Sequence, residues 1–258
     1  MRTMLIIGAV AYASATLAYL VDLATSKDGR LLPRRLYTAA TLYWLIAFPI
    51  GAAYFPLCVG LRPWLLASGW ILGAIFLFLE RRYPISALGS LVSALSTVLS
   101  IISIFIAAEA SDILAGPLAD WVLWIHISLA FLGVVAFALA AAISILYLFV
   151  SGRIKRKLSL PGKLPPLSIL DNLALKIISI GFPFYTVALL LGSAQAVRSG
   201  TDEIKLAYIL ASLSWLIYGI VLQARLTAGW RGRNAATLTI IGCIAAFMVV
   251  GLYSSGTA

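Results

Sequence analysis

Charge is scarce in this sequence of 258 residues, of which 11% are charged and 62% are hydrophobic. Soluble domains carry roughly a quarter charged residues, so a soluble enzyme is excluded. Only two cysteines are present, Cys58 and Cys243, which excludes a disulfide scaffold, and we expect both to serve in packing. The net charge of +10 does not indicate nucleic acid as a partner, because basic residues collect in the cytoplasmic loops of membrane proteins.

Long apolar runs occupy most of the chain. Crossing the hydrocarbon core takes about 20 apolar residues, and in lipid such a run must be helical because an open strand leaves its backbone groups unpaired. We therefore predict an all-α fold, a polytopic integral membrane helix bundle in which residues 1–258 form a single domain. The eight transmembrane helices are expected at about 4–23, 36–59, 64–80, 86–108, 121–150, 174–197, 205–224 and 236–253.

Lysine and arginine are distributed unevenly between the two sides of this bundle. Fifteen of the nineteen lie in or beside the odd-numbered loops, near 27–35, 81–82, 151–176 and 225–233. By the positive-inside rule these loops face the cytoplasm and both termini face outward. We expect a multi-pass protein of a prokaryotic cytoplasmic membrane, with 151–173 as an ordered cytoplasmic loop.

His126 is the sole histidine of the sequence and lies near the predicted outer end of the fifth helix. One interpretation is an interfacial polar residue in an aromatic belt, hydrogen-bonded to a carbonyl or water. The other is an axial ligand, because neutral imidazole is the usual protein ligand of haem iron. In either case we expect the ring to face the helix bundle, since lipid would leave its nitrogens unpaired.

Other catalytic and cofactor motifs are missing from the sequence. There is no P-loop, no zinc-type cluster, no Rossmann fingerprint and no Cys-x-x-Cys-His haem-attachment motif. All nine acids lie at or near predicted helix ends or in loops, which argues against a proton-coupled transporter. We assign no catalytic residue and predict no enzyme.

Several segments resemble the cytochrome c assembly membrane family of the CcsA type, and most closely its reduced HemX-like branch. The segment around His126 resembles the family's helix after an outer loop. The other similar segments follow in the family's order and cover about the last 140 residues. In full, they are Trp121-Val-Leu-Trp124-Ile-His126-Ile-Ser-Leu-Ala-Phe-Leu-Gly-Val-Val-Ala-Phe-Ala-Leu139, Leu164-Pro-Pro-Leu-Ser-Ile-Leu-Asp171, Ile180-Gly-Phe-Pro-Phe-Tyr185, Ser214-Trp-Leu-Ile-Tyr218 and Leu226-Thr-Ala-Gly-Trp-Arg-Gly-Arg-Asn-Ala-Ala236.

This resemblance implies haem as the cofactor, with His126 as the metal ligand and with Trp121 and Trp124 as further cofactor-binding residues. His126 matches the first outer histidine of the family, whose full CcsA type presents haem to apocytochrome c for thioether attachment. If haem is bound, Trp64 should join Trp121 and Trp124 in an aromatic-lined cleft open to the outside.

The sequence departs from the family pattern at three places. The loop 198–205 lacks the family's tryptophan-rich segment, Gln223 stands in place of an intramembrane histidine, and no histidine follows the eighth helix. One imidazole implies a five-coordinate haem unless a further ligand arrives. Met248 is a candidate for that ligand, although packing is the role we expect for it.

We therefore predict a haem-handling membrane protein (binding, transfer or sensing) that acts within a membrane complex. Its expected partners are the lipid bilayer, a membrane or cytoplasmic protein and apocytochrome c. One alternative is a HemX-like regulatory binding protein for a cytoplasmic tetrapyrrole-synthesis enzyme. Another is a haem-free structural subunit of a membrane assembly.

The charge distribution generates a testable topology. In a cysteine-free background, the thiol of Ser159→Cys should react with a membrane-impermeant reagent only from the cytoplasmic side. The thiol of Asp202→Cys, in a loop of the opposite set, should react only from the outside. Labelling of Ser159→Cys from the outside alone would contradict the topology.

Overall fold

A computed structural model of the chain describes residues 2–25, 31–54, 61–105, 120–158, 164–198 and 206–254. These residues form eight α-helices and no β-strand, so the all-α prediction is confirmed for the described part of the chain. The helices are α1 (Arg2–Thr25), α2 (Leu31–Tyr54), α3 (Leu61–Arg82), α4 (Leu88–Phe105), α5 (Asp120–Lys155), α6 (Leu167–Arg198), α7 (Leu206–Thr227) and α8 (Arg233–Ser254).

Several helices extend beyond the predicted apolar runs. The prediction that 151–173 is a loop was wrong at both ends, because α5 continues to Lys155 and α6 begins at Leu167. Hydropathy locates the part of a helix that lies in hydrocarbon, whereas backbone hydrogen bonding continues into the headgroup region. Pro165 and Pro166 explain the start of α6, since proline disfavours a helical conformation in the residue before it.

Six helices contain described stretches that are long and apolar enough to cross a membrane, namely α1, α4, α5, α6, α7 and α8. The prediction that all eight helices cross, and that both termini face outward, remains a prediction. The same holds for the single domain.

The chain divides into two compact units. The first unit comprises residues 1–113 and 153–166 and therefore contains α1 to α4. The second unit comprises residues 114–152 and 167–258 and contains α6 to α8 with most of α5.

The core of the first unit is built from aromatic rings and hydroxyl groups. The rings of Tyr12, Tyr19 and Phe76 surround Tyr37, with centroid separations of 5.5, 6.2 and 5.7 Å from it. The Tyr37 hydroxyl lies 3.0 Å from Ser96 Oγ, which itself donates to the Gly69 carbonyl at 3.2 Å. These bonds connect α2, α4 and α3 and satisfy polar atoms that have no access to water.

A line of buried serines follows one face of α4 towards its C-terminal end. Ser93 and Ser100 donate to the carbonyls of Gly89 and Ser96 at 2.6 and 2.8 Å, and Ser103 donates to the Ser100 carbonyl at 2.6 Å. A hydroxyl that bonds to the preceding turn of its own helix needs no partner elsewhere. The helix can therefore bury these serines while its neighbours approach closely.

The core of the second unit is an aromatic stack held by hydrogen bonds to backbone carbonyls. Phe137 of α5 stacks on Tyr218 of α7 at a centroid distance of 3.6 Å and meets Tyr185 of α6 at 5.1 Å. The Tyr218 hydroxyl donates to the Thr239 carbonyl at 2.9 Å, which connects α7 to α8. The stack thus fixes the relative positions of all four helices of this unit.

Two glycines on one face of α3 provide a matched test of the first unit. A Cβ at Gly73 would lie 2.9 Å from Thr41 Oγ1 and 3.2 Å from the Tyr37 hydroxyl, whereas a Cβ at Gly69 would meet no atom closer than 3.7 Å. Gly73→Ala should lower the free energy of unfolding by about 1–3 kcal/mol through overpacking. Gly69→Ala should be nearly neutral. Unfolding in detergent measures both, and equal losses would contradict the packing described here.

Candidate functional site

Small residues bring α5 and α6 into close contact in the second unit. A Cβ at Gly133 would lie 2.8 Å from Tyr185 Cβ, and one at Gly181 would lie 2.5 Å from Ala136 Cβ. The pairs run in opposite directions along the two helices, so α5 and α6 are antiparallel here. Glycine at such positions lets helix backbones approach closely in a membrane.

The same contact continues to His126, near the N-terminal end of α5. Its Nδ1 lies 2.7 Å from the carbonyl oxygen of Ala188 on α6. Its ring also lies against Gly192, where a Cβ would be 2.7 Å from the ring carbon Cε1. The imidazole therefore faces a neighbouring helix, which confirms the prediction that it points into the bundle.

The hydrogen bond to Ala188 indicates that Nδ1 is the ring nitrogen that carries hydrogen. A carbonyl oxygen can only accept, so Nδ1 carries the hydrogen and donates it. In the neutral ring, Nε2 then holds a lone pair. Among the described residues Nε2 has no hydrogen-bond partner, which leaves it able to accept a proton or to bind a metal ion.

The structure describes only some of the other side chains that the sequence singled out. The side chains of Trp64, Trp121 and Trp124 lie outside the described residues, as does Cys58, so the aromatic cleft remains a prediction. Cys243 is buried in α8, in agreement with a packing role. Gln223 is exposed on α7.

Met248 does not have the packing role that was expected for it. Its side chain on α8 is 53% exposed, so it lies at the surface of the second unit. A flexible apolar side chain at this position suits contact with lipid, which is as apolar as a protein core. The expectation failed because the apolar composition of a membrane helix does not distinguish its lipid-facing side from its packed side.

Sequence reasoning did not find the two α6 residues that contact His126. The residue type of Ala188 does not reveal that its backbone carbonyl accepts a hydrogen bond. Gly192 could have been found, because it lies eleven residues after Gly181 and thus returns to the same face of α6 after three turns. Glycines that recur on one face of a membrane helix indicate a close helix neighbour.

A cluster of charged residues lies at the other end of the second unit. Arg225 of α7 is buried, with its side chain 3% exposed, and its Nη1 lies 3.3 Å from Asp171 Oδ1 and 3.0 Å from the Asp171 carbonyl of α6. Arg231, which is 76% exposed, lies 4.0 Å from the same carboxylate. Asp171 and Ala188 are seventeen residues apart on α6, or about 25 Å at 1.5 Å per residue.

This separation is close to the thickness of the hydrocarbon core of about 30 Å. The unit thus places an ion-paired cluster and the His126 imidazole near opposite ends of its membrane-crossing part. Within the described residues, no group of three or more metal-ligating side chains occurs.

Comparison with known proteins adds independent information. Residues 59–256 match the family model described as Cytochrome C assembly protein. Three similar proteins are each named cytochrome c biogenesis protein CcsA. No solved structure matches the chain at a significant level.

These relatives are similar over different lengths. The protein of Chlamydomonas reinhardtii is 29% identical over 63% of this chain and 46% of its own length. That of Trieres chinensis is 26% identical over 75% of this chain and 72% of its own length. That of Guillardia theta is 27% identical over 80% and 78%, respectively. The chain thus matches under half of the Chlamydomonas relative and about three quarters of the other two.

The charged cluster generates a prediction about stability. Asp171→Ala leaves the buried Arg225 guanidinium without its counter-ion and should lower the free energy of unfolding by about 3–5 kcal/mol. Arg231→Ala removes an exposed and distant partner and should cost less than about 1 kcal/mol. Thermal unfolding in detergent distinguishes the two variants. If Arg231→Ala were as destabilising as Asp171→Ala, the buried pair would not be the main contact.

Proposed function

The chain belongs to the cytochrome c assembly protein family, of the CcsA type, and on this premise we propose that it is a haem-handling protein that binds haem iron through His126. Family membership confirms the resemblance drawn from the sequence and makes the chain a multi-pass membrane protein. The assignment to the HemX-like branch remains a prediction. Apocytochrome c and other assembly proteins are the proposed partners, because the relatives are named for cytochrome c biogenesis.

The observation that carries the proposal is the 2.7 Å hydrogen bond between His126 Nδ1 and the Ala188 carbonyl. Histidines that bind metals typically donate their other ring N–H to a carbonyl or carboxylate, which fixes the ring and raises its basicity as a ligand. His126 already has this arrangement. An interfacial histidine that donates to a carbonyl would make the same bond, so it is this bond together with membership of the cytochrome c assembly family that supports the metal-binding role.

His126 is the residue of the second unit that would hold the iron of a haem. Neutral imidazole is a common proximal ligand, and porphyrin supplies the other four nitrogens, so one protein ligand is sufficient for binding. Haem bound at His126 would supply the macrocycle that becomes attached to a cytochrome through thioether bonds. Trp121 and Trp124, one turn apart and within a turn and a half of His126 on α5, are proposed to contact its faces.

The proposed position is on the outer side of the membrane. His126 lies at the end of the second unit opposite to Asp171, Arg225 and Arg231, and the arginine-rich end is expected inside. A haem at the outer side would be accessible to an apocytochrome there. For the two alternatives, a regulatory partner of a tetrapyrrole-synthesis enzyme and a haem-free subunit, no contact among the described residues speaks in their favour.

The proposal predicts a haem spectrum that depends on one side chain. Protein purified from haem-replete membranes should show a Soret band that survives washing, and His126→Ala should abolish or greatly weaken it because the axial ligand is lost. The matched control is Ile125→Ala, which truncates the neighbouring residue, 41% exposed, and should leave the band unchanged.

Two results would count against the proposal in different ways. Wild-type protein without a Soret band would favour the haem-free alternatives. A Soret band unchanged in His126→Ala would retain haem but remove His126 as its ligand.

A further inference from the structure

We propose that α6 provides a backbone seat for His126, in which the Ala188 carbonyl selects the ring tautomer and Gly192 is a positioning residue that leaves room for the ring. The seat directs the lone pair of Nε2 away from its hydrogen-bonded side. The first part of this inference concerns the protein alone. Its consequence for haem binding rests on the proposed function.

The geometry of an α-helix explains why glycine is needed at position 192. Each Cα–Cβ bond points towards the helix N-terminus, so the side chain of residue 192 would cover the turn that contains residue 188. The Ala188 carbonyl also accepts the amide of residue 192 within the helix. With glycine at 192, this carbonyl remains open on one flank, and its second lone pair can accept from His126.

The contacts around Gly192 show how little space the seat has. A Cβ at Gly192 would lie 2.7 Å from Cε1, 3.3 Å from Nδ1 and 3.5 Å from Nε2 of His126. All three atoms belong to the Nδ1–Cε1–Nε2 edge of the imidazole, so this edge lies against the glycine. A methyl group there would push the ring off the Ala188 carbonyl and break the bond that holds the hydrogen on Nδ1.

A second close contact between α5 and α6 provides a control for the substitution of Gly192. Gly181 also lies in close contact with α5, where its Cβ would meet Ala136 Cβ at 2.5 Å. It is eleven residues from Gly192, or about 16 Å along the helix. Gly181→Ala should therefore disturb the helix packing without reaching the imidazole directly. Gly251→Ala, with no atom within 4 Å of the added Cβ, is the neutral control.

The single histidine makes the inference measurable without haem. In haem-free protein labelled with ¹⁵N-histidine and purified through a histidine-free tag, one imidazole gives the whole signal. At about pH 8.5, where a free imidazole is neutral, wild type should show a protonated Nδ1 and an unprotonated Nε2. Gly192→Ala should shift the ring towards the other tautomer or a mixture, whereas Gly181→Ala and Gly251→Ala should keep the wild-type pattern.

Haem titration of the same four proteins gives the second readout. Loss of an outer-shell hydrogen bond typically weakens metal binding by about 10–100-fold, and we expect that loss in Gly192→Ala with a shifted Soret band. Gly181→Ala and Gly251→Ala should bind as wild type does.

The outcomes separate the seat from the haem proposal. A wild-type ring protonated on Nε2 would overturn the seat, and that measurement needs no variant to fold. A tautomer unchanged in folded Gly192→Ala, or changed equally in Gly181→Ala, would also overturn the role of Gly192. If the tautomer pattern were as expected but neither wild type nor any variant bound haem, the role of the seat would be supported and the proposed function would be contradicted.

Discussion

The need of buried polar groups for partners inside the protein governs much of this structure. Hydrocarbon offers no hydrogen bonds, so an unsatisfied group costs several kcal/mol there. Several buried groups find a partner in the same way, by donating a hydrogen bond to a backbone carbonyl. They are the buried serines of α4, the Tyr218 hydroxyl and the His126 ring. A backbone carbonyl oxygen that accepts one hydrogen bond within its helix still has a second lone pair. Small side chains on the helix surface leave this lone pair accessible to a donor on a neighbouring helix.

Close approach of helices is the condition for such bonds, and glycine provides it. Gly73 makes room beside Tyr37, Gly242 beside Tyr218 and Gly192 beside His126. In each case a ring with a polar atom occupies the space that a side chain would have taken. The second and third of these rings donate to a carbonyl of the helix that carries the glycine. Glycine in these helices thus serves to admit a polar ring, at the cost of the lower helix propensity of glycine.

The sequence predicted the helices far better than it predicted their ends and contacts. Eight apolar runs match eight helices in order, because long apolar runs in this chain form helices. Leu31 and Leu167, the first residues of α2 and α6, were missed since helical hydrogen bonding does not stop where the apolar residues do. His126 was found because it is the sole histidine. Its partner Ala188 could not be found, since every residue type has a backbone carbonyl. The spacing of Gly181 and Gly192 was the one signal that could have identified α6 as the neighbouring helix.

At its two ends the second unit provides different partners for Arg225 and for His126, and this difference bears on haem handling. At one end the buried Arg225 is matched by the carboxylate of Asp171, because a guanidinium cannot lose its charge. At the other end no carboxylate accompanies His126 in the contacts of the described residues, and a carbonyl is its partner. A carbonyl keeps Nδ1 occupied without adding charge, so the neutral ring retains the Nε2 lone pair. A single imidazole held in this way would hold the haem iron of the proposed function through Nε2, while the bond to Ala188 keeps the ring itself in place.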